Sequence, residues 1–416
     1  MQLTNIQQYF KLLFKFAQTT KSTKMNILIF PDKFKSSLSS SGAAESIAKG
    51  LLRAKPNNIN IERIEMADGG DGSASVMQKN LDNVNIINCN AIGPLGESIK
   101  SSYLLYKNSE NIKCAFIEMA RVSGLNLVQE KACNPWFTTT YGLGCLIKDA
   151  INKGALNINI SIGGSATNDG GTGMLQSLGY EFKLGISPNI QGLTHQYMCG
   201  GRLKDIVDIT EPTKKYKHIN FSVICDVDNP LLGAKGATMI YSAQKGADQS
   251  MMQLLEKGME HYAKLSLKLS AKYNSDFAGA GAAGGLGYAL KTFLNAKIIS
   301  GWEFFSELTR LEEKISKSDL LICGEGKIDS QSLNGKLLDG VIKLSKKHNK
   351  ELILFCGKKE IELEGIEIYA LEDIEPKLSL CMKNASTLLE ELSFRVFKTY
   401  FQKIKSRLSS SMKETH

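Results

Sequence analysis

The sequence has 416 residues, of which 43% are hydrophobic and 22% are charged. These proportions are close to those of soluble globular proteins, and they exclude a disordered chain, a collagen and a coiled coil as the overall class. The net charge of +9 is confined to the two ends, because residues 25–394 carry as many acidic as basic side chains. A balanced body lacks the clustered cations of a phosphate-backbone surface, so we predict no nucleic-acid partner.

The two ends of the chain are set apart by their charge. Residues 1–24 contain four lysines and no acid, and residues 395–416 contain six basic residues and one acid. The first segment has apolar residues at helical spacing, which fits a targeting peptide, a surface helix or a simple extension. Because Lys11 and Lys15 interrupt its apolar stretch, we do not expect a secretory signal. We interpret residues 1–24 as an N-terminal extension and residues 395–416 as a basic C-terminal tail.

Cysteine and histidine usage bears on compartment and metal binding. The nine cysteines are odd in number and scattered, and none is in C-x-x-C spacing, which predicts free thiols and a cytoplasmic location. The five histidines include no H-x-x-x-H pair, so a structural zinc site has no support. No apolar run is long enough to cross a bilayer, so we predict no membrane partner.

From Met25 onward, short apolar runs alternate with helical patterns such as AAESIAKGLLRA and GKLLDGVIKLSKKH. Nearly continuous apolar strands that alternate with helices predict an α/β fold with largely parallel sheets covered on both faces. In chain order, the strand-like runs with the polar residues that follow them are MNILIFPDKFKSS, INIERIEMADGG, CAFIEMA, LNINISIGG, FSVICDVDNP, DLLICGEGKID and ELILFCGK.

The length favours two domains. Longer connections between about residues 185 and 280 suggest that a second α/β domain is inserted in the first, with the active site in the cleft between them. The predicted first domain combines residues 25–95 with 285–394, and the predicted second domain is 96–284.

Five polar loops directly follow predicted strands: PDKFKSS, MADGGDGS, IGGSATNDGG, CDVDNP and CGEGKID. In open parallel sheets, ligands bind beyond the carboxyl ends of the strands. A single loop of this kind is explained by ordinary turn chemistry. Five loops that carry carboxylate, amide, hydroxyl or lysine side chains favour a binding site instead.

Two glycine-rich segments have features of nucleotide-binding or anion-binding loops. GAGAAG at residues 279–284 matches G-x-G-x-x-G but follows a loop rather than a strand, which favours helix-start packing or an anion-binding loop. The chain contains no G-x-x-x-x-G-K-[ST] sequence and no protein-kinase motif set. GGSATNDGGTG, at residues 163–173, is suited to binding an anion through consecutive backbone N–H groups.

Paired acids and loop lysines are the remaining candidates. Carboxylates on turns can hold Mg²⁺ through one or two oxygens, although helix capping explains Asp68 taken alone. Lysines beside phosphate-binding loops act as point charges, and Lys35 and Lys336 are favoured over Lys33 and Lys245 because of their loop neighbours. The acids in question are Asp68, Asp71, Asp226, Asp228, Glu325 and Asp329.

Taken in order, these segments resemble the bacterial type 1 glycerate kinase family. The resemblance extends from Met25 to about residue 390 and leaves the N-terminal extension outside. It rests on IFPDKFKSSLSS, MADGGDGS, FIEMARVSGL, NPWFTTTYGLG, IGGSATNDGGTGMLQSLG, CDVDNPLLG with GAT, QKGA, GAGAAGGLG and LLICGEGKIDSQSLNGK. This chain departs from the family pattern at Ser36, Asp71, Trp136 and Cys145.

The resemblance implies ATP-dependent phosphorylation of D-glycerate, most often to 2-phosphoglycerate, with ATP and Mg²⁺ as cofactors. We hypothesise that Asp169, or Asp68 as second choice, is the general base and that Lys35 neutralises charge. Substrate or phosphate contacts are assigned to Gly163, Gly164, Ser165, Thr167, Asn168 and Lys336. Nucleotide contacts are assigned to Glu325, Lys327, Asp329, Gly281 and Gly284, and metal contacts to Asp329, Glu325 and Asp226.

Several alternatives stay open at this point. A kinase or reductase that acts on a related hydroxy acid such as hydroxypyruvate, or a non-catalytic binding protein, would have similar loops. The sequence does not distinguish the 2-hydroxyl from the 3-hydroxyl of glycerate, nor a monomer from a homodimer.

Overall fold

A computed structural model of the chain describes residues 24–34, 37–56, 58–70, 72–185, 192–193, 195–213, 216–269, 274–333 and 337–411. The chain divides into two compact units, with the divisions between Ala67 and Asp68 and between Gly301 and Trp302. The first unit comprises residues 24–67 and 302–411 of the described chain, and the second comprises residues 68–301. The predicted N-terminal extension lies outside the described residues, except for Lys24.

Thirteen strands lie in the described part of the chain. In chain order they are β1 (Met25–Ile29), β2 (Ile59–Arg63), β3 (Asn85–Ile92), β4 (Ser98–Lys107), β5 (Lys113–Glu118), β6 (Asn157–Ser161), β7 (Glu181–Leu184), β8 (Ile206–Thr210), β9 (Asn220–Ile224), β10 (Lys297–Ile299), β11 (Leu320–Ile328), β12 (Glu351–Lys359) and β13 (Glu367–Ala370).

The α-helices within the same described ranges alternate with these strands through most of the chain. They are α1 (Ser40–Arg53), α2 (Ser73–Asn80), α3 (Ala120–Ser123), α4 (Tyr141–Asn152), α5 (Thr172–Ser177), α6 (Ala237–Tyr241), α7 (Gln249–Leu269), α8 (Ala282–Leu294), α9 (Gly301–Leu308), α10 (Leu311–Lys317), α11 (Leu337–Lys347), α12 (Leu378–Lys383) and α13 (Ala385–Ser411).

The first unit is built on a fully parallel five-stranded sheet in the order β13-β12-β11-β1-β2. The apolar run of β1 has burial on both faces, as expected for a parallel strand covered by helices. Helix α1 begins at the N-cap Ser39, whose side chain accepts a hydrogen bond from the Gly42 N–H. Ser393 Oγ of α13 donates to the carbonyl oxygen of Ile47 in α1, at 2.8 Å.

A helix extends into the predicted basic C-terminal tail. Helix α13 continues through residue 395 to Ser411, and its apolar side chains belong to the core of the first unit. The helix continues because buried positions recur at helical spacing while the basic residues occupy the other face. These buried residues are Val396, Phe397, Tyr400 and Ile404.

The second unit contains a mixed six-stranded sheet in the order β10-β9-β6-β5-β4-β3. The pairs β10–β9, β9–β6 and β6–β5 are parallel, whereas β4 pairs antiparallel with both β5 and β3. Strands β7 and β8 form a separate antiparallel pair. The sheets confirm the predicted α/β class with largely parallel strands.

The divisions between the units lie elsewhere than the predicted boundaries at residues 95 and 285. Strand β3 pairs with β4 over its whole length, so residues 85–92 belong to the sheet of the second unit. Strand β10 pairs with β9 of the same sheet. Strand pairing between distant segments is not visible in local periodicity, which is why the sequence placed these segments in the first domain.

All nine cysteines are free thiols. Cys323 and Cys356 are fully buried, and burial raises the pKa of Cys356 to about 12. These two thiols are inert core residues, as their apolar surroundings in the sequence indicate. None of the helices in the described ranges is long and apolar enough to span a membrane.

Candidate functional site

Three of the five predicted loops lie together at the carboxyl edge of the second unit's sheet. The loop after β6 contacts the end of β9, because the N–H of Ile162 donates to the carbonyl oxygen of Ile224 at 3.4 Å. The same loop contacts the MADGGDGS segment through the Gly163 N–H, which donates to the Gly69 carbonyl oxygen at 3.3 Å. The CDVDNP loop follows β9. The other two loops, PDKFKSS and CGEGKID, belong to the first unit.

The tip of the loop after β6 is formed by Gly163 and Gly164, and Gly164 is exposed. Gly163 allows a close approach of two backbones: a Cβ atom there would lie 2.7 Å from the Cα of Gly70. On its other side, the loop pairs with the segment after α3, where the Leu125 N–H donates to the Gly164 carbonyl oxygen at 2.9 Å. The exposed tip is therefore held by backbone contacts on two sides.

Asp169 is fully buried and accepts hydrogen bonds from four protein donors. Its Oδ2 accepts from the Thr140 N–H at 2.8 Å, the Thr140 hydroxyl at 2.7 Å and the Gly173 N–H at 3.2 Å. Its Oδ1 accepts from the Gly171 N–H at 3.0 Å. Burial raises the pKa of the Asp169 carboxyl, and the four donors oppose that rise. The carboxylate ties the start of α5 to the start of α4.

Lys245 lies beneath the same loop, with only 2% of its surface exposed. Its Nζ donates to the Ser165 hydroxyl oxygen at 2.8 Å and to the Thr167 carbonyl oxygen at 2.7 Å. Burial lowers the pKa of Lys245 to about 7, and the charge of Asp169 opposes the shift. A lysine with so little exposure is rare in proteins and marks a specialised environment.

Thr167 and Asn168 are fully buried beside this lysine. The Asn168 side-chain amide donates to the Thr238 hydroxyl oxygen at 3.2 Å. Within the described ranges, the Thr167 hydroxyl and the Asn168 side-chain oxygen have no hydrogen-bond partner. Buried polar atoms in native proteins are nearly always paired, so unpaired atoms here indicate a functional or hydrated site.

Asp68 and Asp226 are half-buried carboxylates at the same edge. Asp68 Oδ1 accepts from the Gly70 N–H at 2.9 Å, and Asp226 Oδ1 accepts from the Gly301 N–H at 2.7 Å. Both aspartates adjoin Gly301, where a Cβ atom would lie 2.7 Å from the Asp68 carbonyl oxygen and 2.8 Å from Asp226 Oδ2. Among the residues that the structure describes, no group of three or more His, Cys, Asp or Glu is arranged to hold a metal ion.

The GAGAAG segment packs against the loop after β6. Directly after its first residue, helix α8 has three residues in the left-handed region, which include Gly284 at φ +67°. A Cβ atom on Gly284 would lie 2.0 Å from the Thr167 carbonyl oxygen. A Cβ atom on Gly281 would likewise lie 2.3 Å from the Pro230 carbonyl oxygen of the CDVDNP loop. Both glycines, which the resemblance assigns to nucleotide contacts, pack against the loops of the second unit.

The acidic segment of the first unit is a strand where the sequence predicts a turn. Glu325 and Lys327 lie within β11, which stays paired with β12 as far as Ile328. Lys327 Nζ forms ion pairs with Asp329 Oδ2 at 3.1 Å and with Glu360 Oε2 at 2.9 Å. These carboxylates raise the pKa of the exposed lysine. Only Asp329 follows the strand.

Two predicted site lysines, Lys35 and Lys336, lie outside the described residues. The structure adds a buried carboxylate that the sequence does not single out: Glu118, 5% exposed, at the end of β5. Its Oε1 accepts from the Ala74 N–H at 3.0 Å, and its Oε2 pairs with Arg121 Nε at 2.6 Å. Both residues lie in the segment FIEMARVSGL. An acid at the end of a predicted strand with an arginine three residues later is the sequence signal that could have identified this ion pair.

Comparisons with known proteins extend over both units. The sequence profile described as the glycerate kinase family matches residues 27–401. A glycerate kinase from Halalkalibacterium halodurans is 37% identical over 374 residues, which are 88% of this chain and 95% of that protein. A glycerate 2-kinase from Escherichia coli K12 is 41% identical over 335 residues, which are 80% of this chain and 85% of that protein. A solved structure from Salmonella typhimurium LT2, described as a glycerate kinase 2, has a TM-score of 0.72 and 33% identity, and covers 92% of this chain and 100% of that one.

Proposed function

This chain belongs to the glycerate kinase family and is an enzyme, and from that premise we propose that it transfers the γ-phosphoryl group of ATP to the 2-hydroxyl group of D-glycerate. The observation that carries the proposal is the family match across both units. It is supported by the loops at the carboxyl edge of the second unit, which bring hydroxyl, amide, carboxylate and ammonium groups together. The nine free thiols support a cytoplasmic location, which we include in the proposal.

The donors of the second unit fit a small anionic substrate. The exposed tip at Gly164 gives access to backbone groups, and Ser165 lies directly beyond it with 8% of its surface exposed. Phosphoryl transfer depends mainly on positioning and on neutralising charge, so a rigid loop of this kind suits the chemistry. We assign Gly163, Gly164 and Ser165 to substrate or phosphate contacts, with Thr167 and Asn168 shaping the loop.

The carboxylates fit Mg²⁺, which takes one or two protein oxygens and completes its octahedron with phosphates and water. In the second unit, Asp226 and Asp68 are the residues that would hold the ion. In the first unit, Glu325 and Asp329 are assigned to the nucleotide and its metal, and Lys327 holds Asp329 in place. When bound, Mg²⁺ would supply positive charge that stabilises the negative charge developing during phosphoryl transfer.

The structure argues for a different role for Asp169 than general base. A base must reach the proton that it removes, but both oxygens of Asp169 already accept from protein donors in a fully buried position. We assign Asp169 to holding the loop and the starts of α4 and α5.

Phosphorus NMR of the reaction products tests the proposed function. We expect ATP, Mg²⁺ and D-glycerate to give ADP and a new phosphomonoester signal that matches 2-phosphoglycerate, with turnover on the scale of about 1 to 100 per second typical of kinases. L-glycerate and hydroxypyruvate serve as matched substrates, and excess chelator serves as the metal control. A 3-phosphoglycerate signal would overturn the choice of hydroxyl. Oxidation of a nicotinamide cofactor with hydroxypyruvate, and no phosphoester, would overturn the kinase proposal.

A further inference from the structure

A buried lysine and a serine link the exposed loop tip to the interior of the second unit. Lys245 ends a short 3₁₀ turn, Ala243–Lys245, and its side chain is almost completely enclosed. Nζ lies 2.8 Å from Ser165 Oγ and 2.7 Å from the Thr167 carbonyl oxygen. A carbonyl oxygen only accepts, so one N–H of the amine is committed to Thr167. The ammonium form donates to Ser165 Oγ, and the serine hydroxyl can donate to Nζ only when the amine is neutral.

Ser165 is the residue through which this lysine can act on a ligand. It lies next to exposed Gly164, and its backbone is fixed because the following N–H, of Ala166, donates to the Ser123 carbonyl oxygen at 2.9 Å. The Ala166 carbonyl oxygen in turn accepts from the Thr138 hydroxyl at 2.8 Å. The hydroxyl of Ser165 is therefore held between the accessible tip and Lys245.

The protonation state of Lys245 suits a proton acceptor. Burial lowers the pKa of Lys245 to about 7, which favours the neutral amine, and a neutral amine has a lone pair that can accept the serine proton. Asp169 and Cys133 are titratable residues on segments near Lys245. The charge of Asp169 opposes the lowered pKa of Lys245, and Cys133 adjoins the following residue, Gly246, through its backbone.

We propose that Ser165 and Lys245 form a proton relay that activates the acceptor hydroxyl of the substrate, an inference that rests on the proposed function. Ser165 Oγ accepts the hydroxyl proton while the substrate oxygen forms its bond to phosphorus and the bond between phosphorus and the departing ADP oxygen breaks. Ser165 passes its own proton to neutral Lys245 Nζ, which becomes an ammonium group. After product release, the proton returns through Ser165 to water. Ser165 is the catalytic residue, and Lys245 acts through it.

The pH dependence of kcat tests the relay in Ser165→Ala and Lys245→Met. In the wild-type enzyme, kcat should rise as pH increases through about 7, because Lys245 must be neutral to accept a proton. Each variant should lose about 10²- to 10⁴-fold in kcat, the range for general base catalysis, and should lose this rise with pH. KM for D-glycerate should change much less than kcat, because proton transfer from the substrate hydroxyl occurs only in the transition state. Lys264→Met, at an exposed position on α7, is the matched control and should keep the wild-type profile.

Lys245→Arg separates the relay from a purely structural role. Arginine keeps the positive charge and the donors but does not release a proton near neutral pH, so the relay predicts the same loss as in Lys245→Met. Wild-type kcat and pH profile in a folded Lys245→Arg variant would overturn the relay. Circular dichroism establishes whether each variant is folded. If no Lys245 variant folds, the relay is tested by whether Ser165→Ala loses the rise of kcat with pH.

The same assays distinguish failure of the relay from failure of the proposed function. If the wild-type enzyme forms phosphoglycerate and folded Ser165→Ala keeps at least about a tenth of its kcat with an unchanged profile, the relay is wrong and the function stands. If the wild-type enzyme forms no phosphoglycerate from ATP and D-glycerate, both inferences fail together.

Discussion

Asp169 and Lys245 are ionisable side chains that protrude into the same buried region, and the protein compensates for their burial differently. Four donors surround the carboxylate, which lets it act as a cap for α5 and a tie to α4. Lys245 has two hydrogen-bond acceptors, and its pKa is lowered instead. The first group is structural and the second is poised to exchange a proton.

Asp169→Asn tests the structural role of this carboxylate. The amide presents an NH₂ group to donors that now meet an oxygen, so at least one buried donor loses its partner in either orientation. We expect the free energy of unfolding to fall by about 3 kcal/mol, measured by urea denaturation. Asp208→Asn, at an exposed position on β8, should change the free energy of unfolding by less than about 0.5 kcal/mol. Unchanged stability with a hundredfold loss of kcat would restore the general-base assignment.

At the scale of elements, the start of α8 and the loop after β6 form one structure. The left-handed residues of α8 let its backbone lie against Thr167 and Asn168, which hold Lys245 and Thr238 respectively. The sequence marks this segment only as a glycine-rich motif without a preceding strand. Its packing role follows from contacts between segments more than a hundred residues apart.

Gly284→Ala tests this packing. The new Cβ would lie 2.0 Å from the Thr167 carbonyl oxygen and 2.7 Å from the Asn168 Cα, and the backbone at φ +67° adds strain. We expect a loss of stability of about 3 kcal/mol and at least about a tenfold loss in kcat/KM, because the loop must shift. Gly233→Ala has a similar positive φ but open space around its Cβ, so it controls for backbone strain alone and should cost about 1 kcal/mol. Equal effects of the two substitutions would contradict the packing role.

Strand β11 is longer than its local sequence predicts. The apolar run ends at Cys323, yet the strand continues through Glu325 and Lys327 because β12 offers backbone partners as far as Lys359. Local sequence indicates a turn at GEGK, since glycine and charged residues are poor strand formers. Pairing between strands overrides that preference.

At the scale of the whole molecule, the C-terminal segment belongs to the fold although its charge suggests a tail. Four apolar side chains after residue 394 contribute roughly 6 to 12 kcal/mol, at about 1.5 to 3 kcal/mol each. That is comparable with the total stability of a typical domain, about 5 to 15 kcal/mol. We therefore expect a chain that ends at Phe394 to be unfolded or insoluble, as measured by circular dichroism and sedimentation.

The matched control for this truncation removes charge and keeps the apolar face. Replacing Arg395, Lys398, Lys403 and Lys405 with glutamine should leave the fold intact, because exposed ion pairs such as Arg395 with Glu391 contribute little. A folded truncated chain would show that the segment is not needed for folding, and an unfolded glutamine variant would show that the segment acts through its charge.

The sequence by itself determined the α/β class, the loops that follow the strands and the likeness to glycerate kinases, because periodicity, turn residues and ordered motifs are local properties. Tertiary structure alone decided the strand order, the extent of β11 and α13, and the assignment of β3 and β10 to the second unit. It also decided which ionisable groups are buried. Lys245 and Asp169 show the physical reason: hydrogen-bond partners and desolvation depend on residues far away in the chain, and no local pattern records them.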